Sequence, residues 1–398
     1  MQTPRLQKNK VSGLVNFLET VQRLGPIIAS AADQAEREHQ LPANLLDALH
    51  QNSLFRLLLP KSFGGYELDP VSFCKTIEAV AMVDASTAWC LCQANGCAMA
   101  AAFVPAQVAK QIWNEDINAV LAWGPGKGEA IQVENHYRLT GSWSFVSGGR
   151  HSTWLGGYAT LREDNGAPLR DADGLPIGRT FLFPTAQATM TETWDVIGLL
   201  GTGSDKFSVS DISVPATHAF ARDQASDRRY TAPLYLFPAA SLYASGFAGT
   251  ALGIAQAMFD AFKALVLEKT PRLERQRLKE SSVIQTEIGQ SEARLKAARI
   301  FLLSELEDIW AAVTSNQTVT ISQRMRIRLA STHAIHEARA VANAVYYAAG
   351  ASAIFAGTPF QRRFRDIHTA AQQIQGRKAH FQTVGSFLLG HPPDLSMA

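Results

Sequence analysis

The chain has 398 residues, 46% hydrophobic and 18% charged, with a formal net charge of +2 at pH 7. That length allows two or three domains and a sizeable core, and the near-neutral charge gives no electrostatic basis for binding nucleic acid or an acidic membrane surface. No run of eighteen apolar residues occurs, and the N-terminal MQTPRLQKNK is not an apolar signal segment, so a soluble cytoplasmic protein is expected.

Residues 1–118 read as helical. Leu14, Phe17, Leu18, Val21, Leu24 and Ile28 recur at three and four. Pro42 suits a first helical turn ahead of Leu45, Leu46 and Leu49. Pro60, Gly64, Gly65 and Pro70 mark an ordered loop, and helical spacing resumes at Val71–Val83. Asp84-Ala85-Ser86-Thr87 can cap the next helix, Ala88–Val104, whose small and apolar residues on every side predict burial. Its polar Gln93 and Asn95 must then either satisfy local backbone or face a ligand. Cys90, Cys92 and Cys97 in this helix, with Cys74, have neither zinc-ligand nor disulfide-framework spacing and read as free buried thiols. No metal site is expected.

Residues 119–220 change to short alternating runs separated by Gly, Pro and Asn, the pattern of a β domain. Within it, Tyr137–Gly149 predicts a strand with a turn at Thr140-Gly141. Trp143 and Phe145 fall on one face, and Ser142, Ser144 and Val146 on the other. The strand ends in Ser147-Gly148-Gly149, where backbone can approach a ligand closely. On its own this stretch reads as an ordinary half-buried strand and turn, ahead of one wall of a planar-ligand site. Glu163–Gly178 predicts a long hairpin excursion. Gly198–Ser204 carries three glycines but lacks the strand–loop–helix setting and the Lys of a P-loop.

Residues 221–398 begin irregularly and become helical from Ser241. Leu295, Ala298, Leu302, Leu306 and Trp310 form one stripe; Ile327, Ala330, Ala334, Ala338, Val341, Val345 and Ala348 form another, as in a helix bundle. The segment from Arg362 to Gly390 predicts one last helix, with HPPDLSMA as a tail.

The order helical, β, helical, together with Gly141–Gly148 (GSWSFVSG), Thr193–Pro215 and Phe364–Ile374, resembles the acyl-CoA dehydrogenase superfamily. The pairing of the first motif with Asp366-Ile367-His368 is similar to its oxygenase branch, the two-component flavin-dependent (group D) aromatic monooxygenases. The resemblance runs from about Leu14 to Leu389. It implies a mainly α fold with a central β-barrel-like domain and a C-terminal four-helix bundle, usually a homotetramer. It also implies reduced FMN or FAD delivered by a separate flavin reductase. With O2, a flavin C4a-hydroperoxide would then hydroxylate an aromatic or heteroaromatic small molecule.

Carried onto matching positions, the resemblance implies Ser147 near flavin N5, where it would slow peroxide loss, with Trp143, Phe145 and Gly148 as the flavin wall. Thr202, Gly203 and Ser204 would form a second flavin loop. His368 would lie over the substrate as base for a phenol, with Gln93, Asn95 and Trp123 shaping the pocket. An N-oxygenase acting on an amine is an alternative. An acyl-CoA dehydrogenase is another, but Thr369–Gly376 offers Gln372, Gln373 and Gln375 and no carboxylate base, leaving only Glu268 and Glu274 for that role. Two departures stand out. Asn95-Gly96-Cys97 occupies a stretch where aromatic hydroxylases commonly carry a His. Thr270–Lys279 lacks the Arg-x-x-Phe-Gly segment that dehydrogenases place at the adenine end of FAD.

Overall fold

The side chains flanking each helix explain where the N-terminal helices begin. In the computed structural model, which describes residues 16–393 except 223, 225, 273 and 316–317, Asn16 accepts from the N–H groups of Leu18 and Glu19 to open α1 (Phe17–Glu38). Leu14 of the expected stripe and residues 394–398 of the tail lie outside the described residues. α2 (Ala43–Gln51) follows, then α3 (Pro70–Val83), capped by Asp69. Asp84 accepts from Thr87 N–H and from its hydroxyl, both at 2.7 Å, to start α4 (Ala85–Ala98). α4 is buried on all sides except at Gln93, as its composition predicts. It gives way to a 3-10 turn at Met99–Ala102 before α5 (Ala106–Trp113).

Eight strands then form one mixed sheet: β1 (Leu121–Trp123), β2 (Gly126–Val133), β3 (His136–Val146), β4 (Trp154–Arg162), β5 (Gly178–Pro184), β6 (Thr189–Thr191), β7 (Asp205–Pro215) and β8 (Ala219–Phe220). Their order is β6-β7-β3-β2-β4-β5-β8, with β1 parallel to β4. β3 is continuous, so the expected turn at Thr140-Gly141 does not occur. Leu139 pairs with Ile212 and Gly141 with Val209, so the irregularity is an extra residue on β7, where Asp211 has φ 55° and its N–H meets Thr140 Oγ1 at 2.9 Å.

A second bulge lies on β3 itself. Trp143 pairs with Phe207 and Val146 with Asp205, so β3 advances three residues where β7 advances two. Phe145 takes φ 57° at this bulge and is 62% exposed, whereas Trp143 is 0% exposed. The two rings therefore do not share a face. Trp143 stacks on Phe207 at 5.0 Å between centroids and donates Nε1–H to Tyr158 O at 2.9 Å. Gly128, Gly141 and Gly157 leave the room for its indole: a Cβ on any of them would lie 2.4–2.6 Å from a Trp143 ring atom. Trp143 is thus the centre of the β core and not part of a ligand wall.

The C-terminal region is a bundle of α6 (Ala239–Glu268), α7 (Ser282–Thr314), α8 (Ile321–Ala349), α9 (Gln361–Ala370) and α10 (Ala379–Leu388). The expected single last helix is broken between Ala370 and Ala379, where Ile374–Gly376 makes a 3-10 turn. α6 is long and apolar enough to cross a membrane, but it packs against α3, α4 and α8 and buries residues along its length. Trp143→Ala is expected to destabilise the fold by about 3–5 kcal/mol in urea unfolding, through loss of packing around a large buried ring. A loss below about 1 kcal/mol would contradict its place at the centre of the sheet core.

Candidate active site

Three hydroxyls form a chain where the end of β3 meets the loop before β7. Thr202 Oγ1 donates its one hydrogen to Leu199 O at 2.8 Å. Its 2.7 Å contact with Ser204 Oγ therefore makes Ser204 the donor. The 2.7 Å contact between Ser204 Oγ and Ser147 Oγ in turn makes Ser147 the donor. Trp89 Nε1–H, from α4, donates to Ser147 Oγ at 3.1 Å. A hydroxyl has one hydrogen and two lone pairs. Ser147 therefore has no hydrogen left for a ligand and one lone pair that can accept from one.

The loop that sets this direction is held in a strained conformation. Leu199 has φ 53°, which costs a residue with a Cβ roughly 1–2 kcal/mol. Its N–H donates to Asp366 Oδ1 of α9 at 2.6 Å, and its carbonyl also accepts from Trp194 Nε1 at 3.0 Å and Thr202 N at 3.1 Å. The glycines of this loop each pass something closely. A Cβ on Gly198 would lie 2.3 Å from Arg365 O, and one on Gly203, at φ 47°, would lie 2.1 Å from His39 O. Gly201 passes Ala35 of α1 and Ser86 of α4. Gly148 N donates to Thr202 O at 3.0 Å, which ties the two loops together. Below them Asp205 binds Arg150 Nε at 2.6 Å and the N–H groups of Thr193 and Trp194 at 2.8 and 3.0 Å. Burial opposes its ionisation, but these partners outweigh burial and hold its carboxyl below the usual range.

A wall of rings continues from Trp89. Trp89 lies 4.2 Å from Phe247 of α6, and Phe247 stacks with Tyr243 at 6.1 Å. Tyr243 fits against α4 because residue 96 is glycine: a Cβ there would lie 2.4 Å from its ring. Tyr243 OH donates to Cys97 Sγ at 3.5 Å, and Gln93 Nε2 donates to Trp123 O at 3.1 Å. The Arg222 guanidinium lies over both Trp123 and Tyr243, 5.7 and 5.9 Å from their ring centroids. On the far side of Gly148, His151 has two buried ring nitrogens with no partner among the described residues, and burial pushes it down to about 4.

Of the residues expected at the site, the structure brings together Ser147, Gly148, Thr202, Gly203 and Ser204. Phe145 stands beside them, exposed, with Trp194 edge-on to it at 6.1 Å and exposed Ile197 in the same loop as Trp194. Gln93 and Trp123 meet at the aromatic wall. Three expectations are corrected. Trp143 is in the sheet core, turned away by the bulge. Asn95 is 0% exposed and spends its whole amide on backbone: Oδ1 accepts from Leu57 and Leu58, and Nδ2 donates to Leu54 and Leu91. It fastens α4 to the segment after α2 and has nothing left for a substrate. His368 lies about 200° round α9 from Asp366, and its Nε2 bonds Asn343 Oδ1 of α8 at 2.8 Å. The structure does not bring it to the hydroxyl chain. Sequence reasoning missed Trp89, Tyr243 and Arg222. It quoted Asp366 without giving it a role. No local pattern marks these residues, because each acts across a contact between domains.

The buried carboxylates among the described residues are Glu78, Asp84, Asp205 and Asp366. Glu78 is taken by Arg299 Nε at 2.7 Å, and Asp84 caps α4. Glu268 is exposed at the end of α6 and Glu274 is exposed in the loop after it, so neither is placed as the base a dehydrogenase needs.

Comparison with known proteins places the sequence and the fold. The family "Acyl-CoA dehydrogenase, N-terminal domain" matches residues 18–112, and "Acyl-CoA dehydrogenase, C-terminal domain" matches residues 245–377. The chain is 27% identical over 359 residues to the indole-3-acetate monooxygenase of Pseudomonas putida, covering 90% of each chain. It is 27% identical over 365 residues to the flavin-dependent monooxygenase oxygenase subunit HsaA of Rhodococcus jostii (strain RHA1), covering 88% of this chain and 92% of that protein. Among solved structures, XiaF from a Streptomyces species, in complex with FADH2 and glycerol, superposes with a TM-score of 0.89 at 24% identity. That match covers 95% of this chain and 96% of that one.

Asn95→Ala should lower stability by at least roughly 2 kcal/mol, because it strands several buried backbone groups, while leaving reduced-flavin affinity within about twofold. Unfolding curves and flavin titration check this. A change in flavin affinity without loss of stability would contradict the structural role.

Proposed function

The chain belongs to the acyl-CoA dehydrogenase family, in its branch of flavin-dependent monooxygenases, and from that premise we propose that Ser147 receives the N5–H of reduced flavin. The chain is the oxygenase component of a two-component aromatic monooxygenase, a system with a separate flavin reductase. When bound, reduced flavin supplies the two electrons that activate O2 and deliver one oxygen atom to the substrate. The observation that carries the Ser147 assignment is the direction of the hydroxyl chain. Trp89 fills one lone pair of Ser147 and Ser204 takes its hydrogen, which leaves an acceptor suited to an N–H group.

The other residues present fit a flat flavin ring. Phe145, held out at left-handed φ, and Trp194 offer apolar faces, while the backbone of Gly148 and Gly203 brings no side chain to the site. Trp89 and Phe247 keep water from the Ser147 side, and this favours retention of the proton at N5. Gln93, Trp123, Tyr243 and Arg222 shape the place for an aromatic substrate. Arg222 over two ring faces suits an aromatic compound carrying a negative charge. The relatives named for indole-3-acetate and p-hydroxyphenylacetate act on compounds of that kind.

The protein works in the cytoplasm, consistent with four free buried cysteines. It works as a homotetramer assembled through the bundle, which exposes Tyr347, Ile354 and Phe355 at and just after the C-terminal end of α8. Light scattering at micromolar concentration tests the tetramer, and a monomer would contradict it.

Ser147→Ala should speed peroxide release at least about tenfold when enzyme and reduced FMN or FAD are mixed with O2 in the absence of substrate. An unchanged rate with unchanged flavin binding would remove Ser147 from this role. His368→Ala should leave the same rate within about twofold, because its ring faces α8.

A further inference from the structure

Asp366 connects two environments. One carboxylate oxygen accepts Leu199 N–H at 2.6 Å, and the same residue lines a cavity of about 320 Å³ together with Asp33, Asp84, Thr358, Arg362 and Arg363. Its helix grips the loop at three successive residues. Arg365 Nη1 donates to Ile197 O at 2.8 Å, Gly198 lies so close to the α9 backbone that a Cβ would sit 2.7 Å from Asp366 N, and Leu199 N–H is bound by Asp366. Leu199 is the residue in the strained left-handed conformation. Its carbonyl is the acceptor at the end of the hydroxyl chain.

We infer that Asp366 is a positioning residue for the Ser147 hydroxyl: by holding Leu199 N–H it keeps the Leu199 carbonyl turned to Thr202, and this sets the direction of the whole chain. The inference rests on the assignment of Ser147 to the flavin. Leu199 N–H belongs to the peptide before Leu199 and its carbonyl to the peptide after it, so Asp366 acts on the carbonyl through the left-handed φ between them. Without Asp366, Trp194 Nε1 and Thr202 N are left to hold the carbonyl against that strain, and the residue relaxes. Thr202 then loses its acceptor, and the three hydroxyls can reverse so that Ser147 presents a hydrogen where an acceptor is needed.

The charges around Asp366 make the grip sensitive to pH. Burial pushes its carboxyl up to about 7, the Leu199 N–H opposes that rise, and Asp84 at the start of α4 adds to it. Arg365 on its own helix lowers it and Glu36 of α1 raises it. Arg363 also acts on Asp366. α6, which packs against α9, carries no charged side chain before Asp260, and Arg339 of α8 acts on His368. A carboxylate holds an N–H more strongly than a carboxylic acid does. Asp366 ionises as pH rises through about 7, so the loop is held more tightly above that pH than below it.

The test compares the intact protein with Asp366→Ala, Asp366→Asn and Ser147→Ala. Hydrogen exchange of the segment containing Leu199 is measured without flavin, with the α6 segment as a folding control. Peroxide release is measured after mixing with reduced FMN and O2. Asp366→Ala should raise exchange at Leu199 at least about tenfold with α6 unchanged, and should speed peroxide release toward the Ser147→Ala rate. Asp366→Asn, which keeps an acceptor, should restore most of the protection and the slow release. Only the wild type should show a change in Leu199 protection, corrected for intrinsic exchange, as pH passes about 7. Wild-type protection at Leu199 in the Ala variant overturns the inference, as does the same pH profile in the Asn variant. Deprotection without faster peroxide release, while Ser147→Ala remains fast, overturns the inference and leaves the Ser147 assignment standing. If Ser147→Ala itself releases peroxide at the wild-type rate, the Ser147 assignment fails and the inference falls with it. If the Ala variant does not fold, the Asn variant and its pH profile decide alone.

Discussion

A threonine hydroxyl has one hydrogen to give, and Thr202 gives it to the carbonyl of Leu199. That choice propagates through Ser204 to Ser147, where it leaves a lone pair exposed to a ligand. The carbonyl faces Thr202 because Leu199 sits in a backbone conformation it would not adopt unaided. Three regions of the chain meet to hold it there: α9 through Asp366, the β domain through Trp194, and α1 and α4 through the glycines that let the loop pass. The chemistry of one serine thus depends on the packing of all three regions.

The same economy governs the substrate side. α4 can lie in the middle of the molecule because it carries small residues all round. Glycines at 96 and 246 let α6 approach to the point where Tyr243 lies on α4 and Cys92 lies against α6. Trp89 emerges from that contact to reach Ser147, so the helix that forms the core also delivers a hydrogen-bond donor to the site. Asn95 would break the apolar character of α4. It is tolerated because four backbone groups absorb its amide. Burial of this kind, with the whole Asn95 amide answered, gives the rigidity that a site for a reactive cofactor needs.

Much of this was legible in the sequence. Caps and apolar periodicity marked α1, α3, α4, α7 and α8. The change to alternating runs marked the sheet, and Ser147, Thr202 and Ser204 were singled out by their motifs. The failures have local physical causes. Strict alternation put Trp143 and Phe145 together, but a one-residue bulge separates them, and bulges leave little trace in a pattern of period two. His368 was expected as a base because the resemblance implied it, but two positions along a helix turn a side chain to the opposite face from Asp366. Asn95 was left open between backbone and ligand, and only the fold shows that three of its four partners lie about forty positions away in the chain. Trp89 and Tyr243 carried no motif because their roles arise from contacts between domains.

The direction of the bond at Ser147 is the central claim, and reduced flavin labelled with ¹⁵N at N5 reads it most directly. The proton on N5 of the bound reduced flavin should exchange with water at least about tenfold more slowly in the wild type than in Ser147→Ala, with a shift of the ¹⁵N signal that reports donation to an oxygen acceptor. Equal exchange rates and equal shifts in the two proteins would contradict the account.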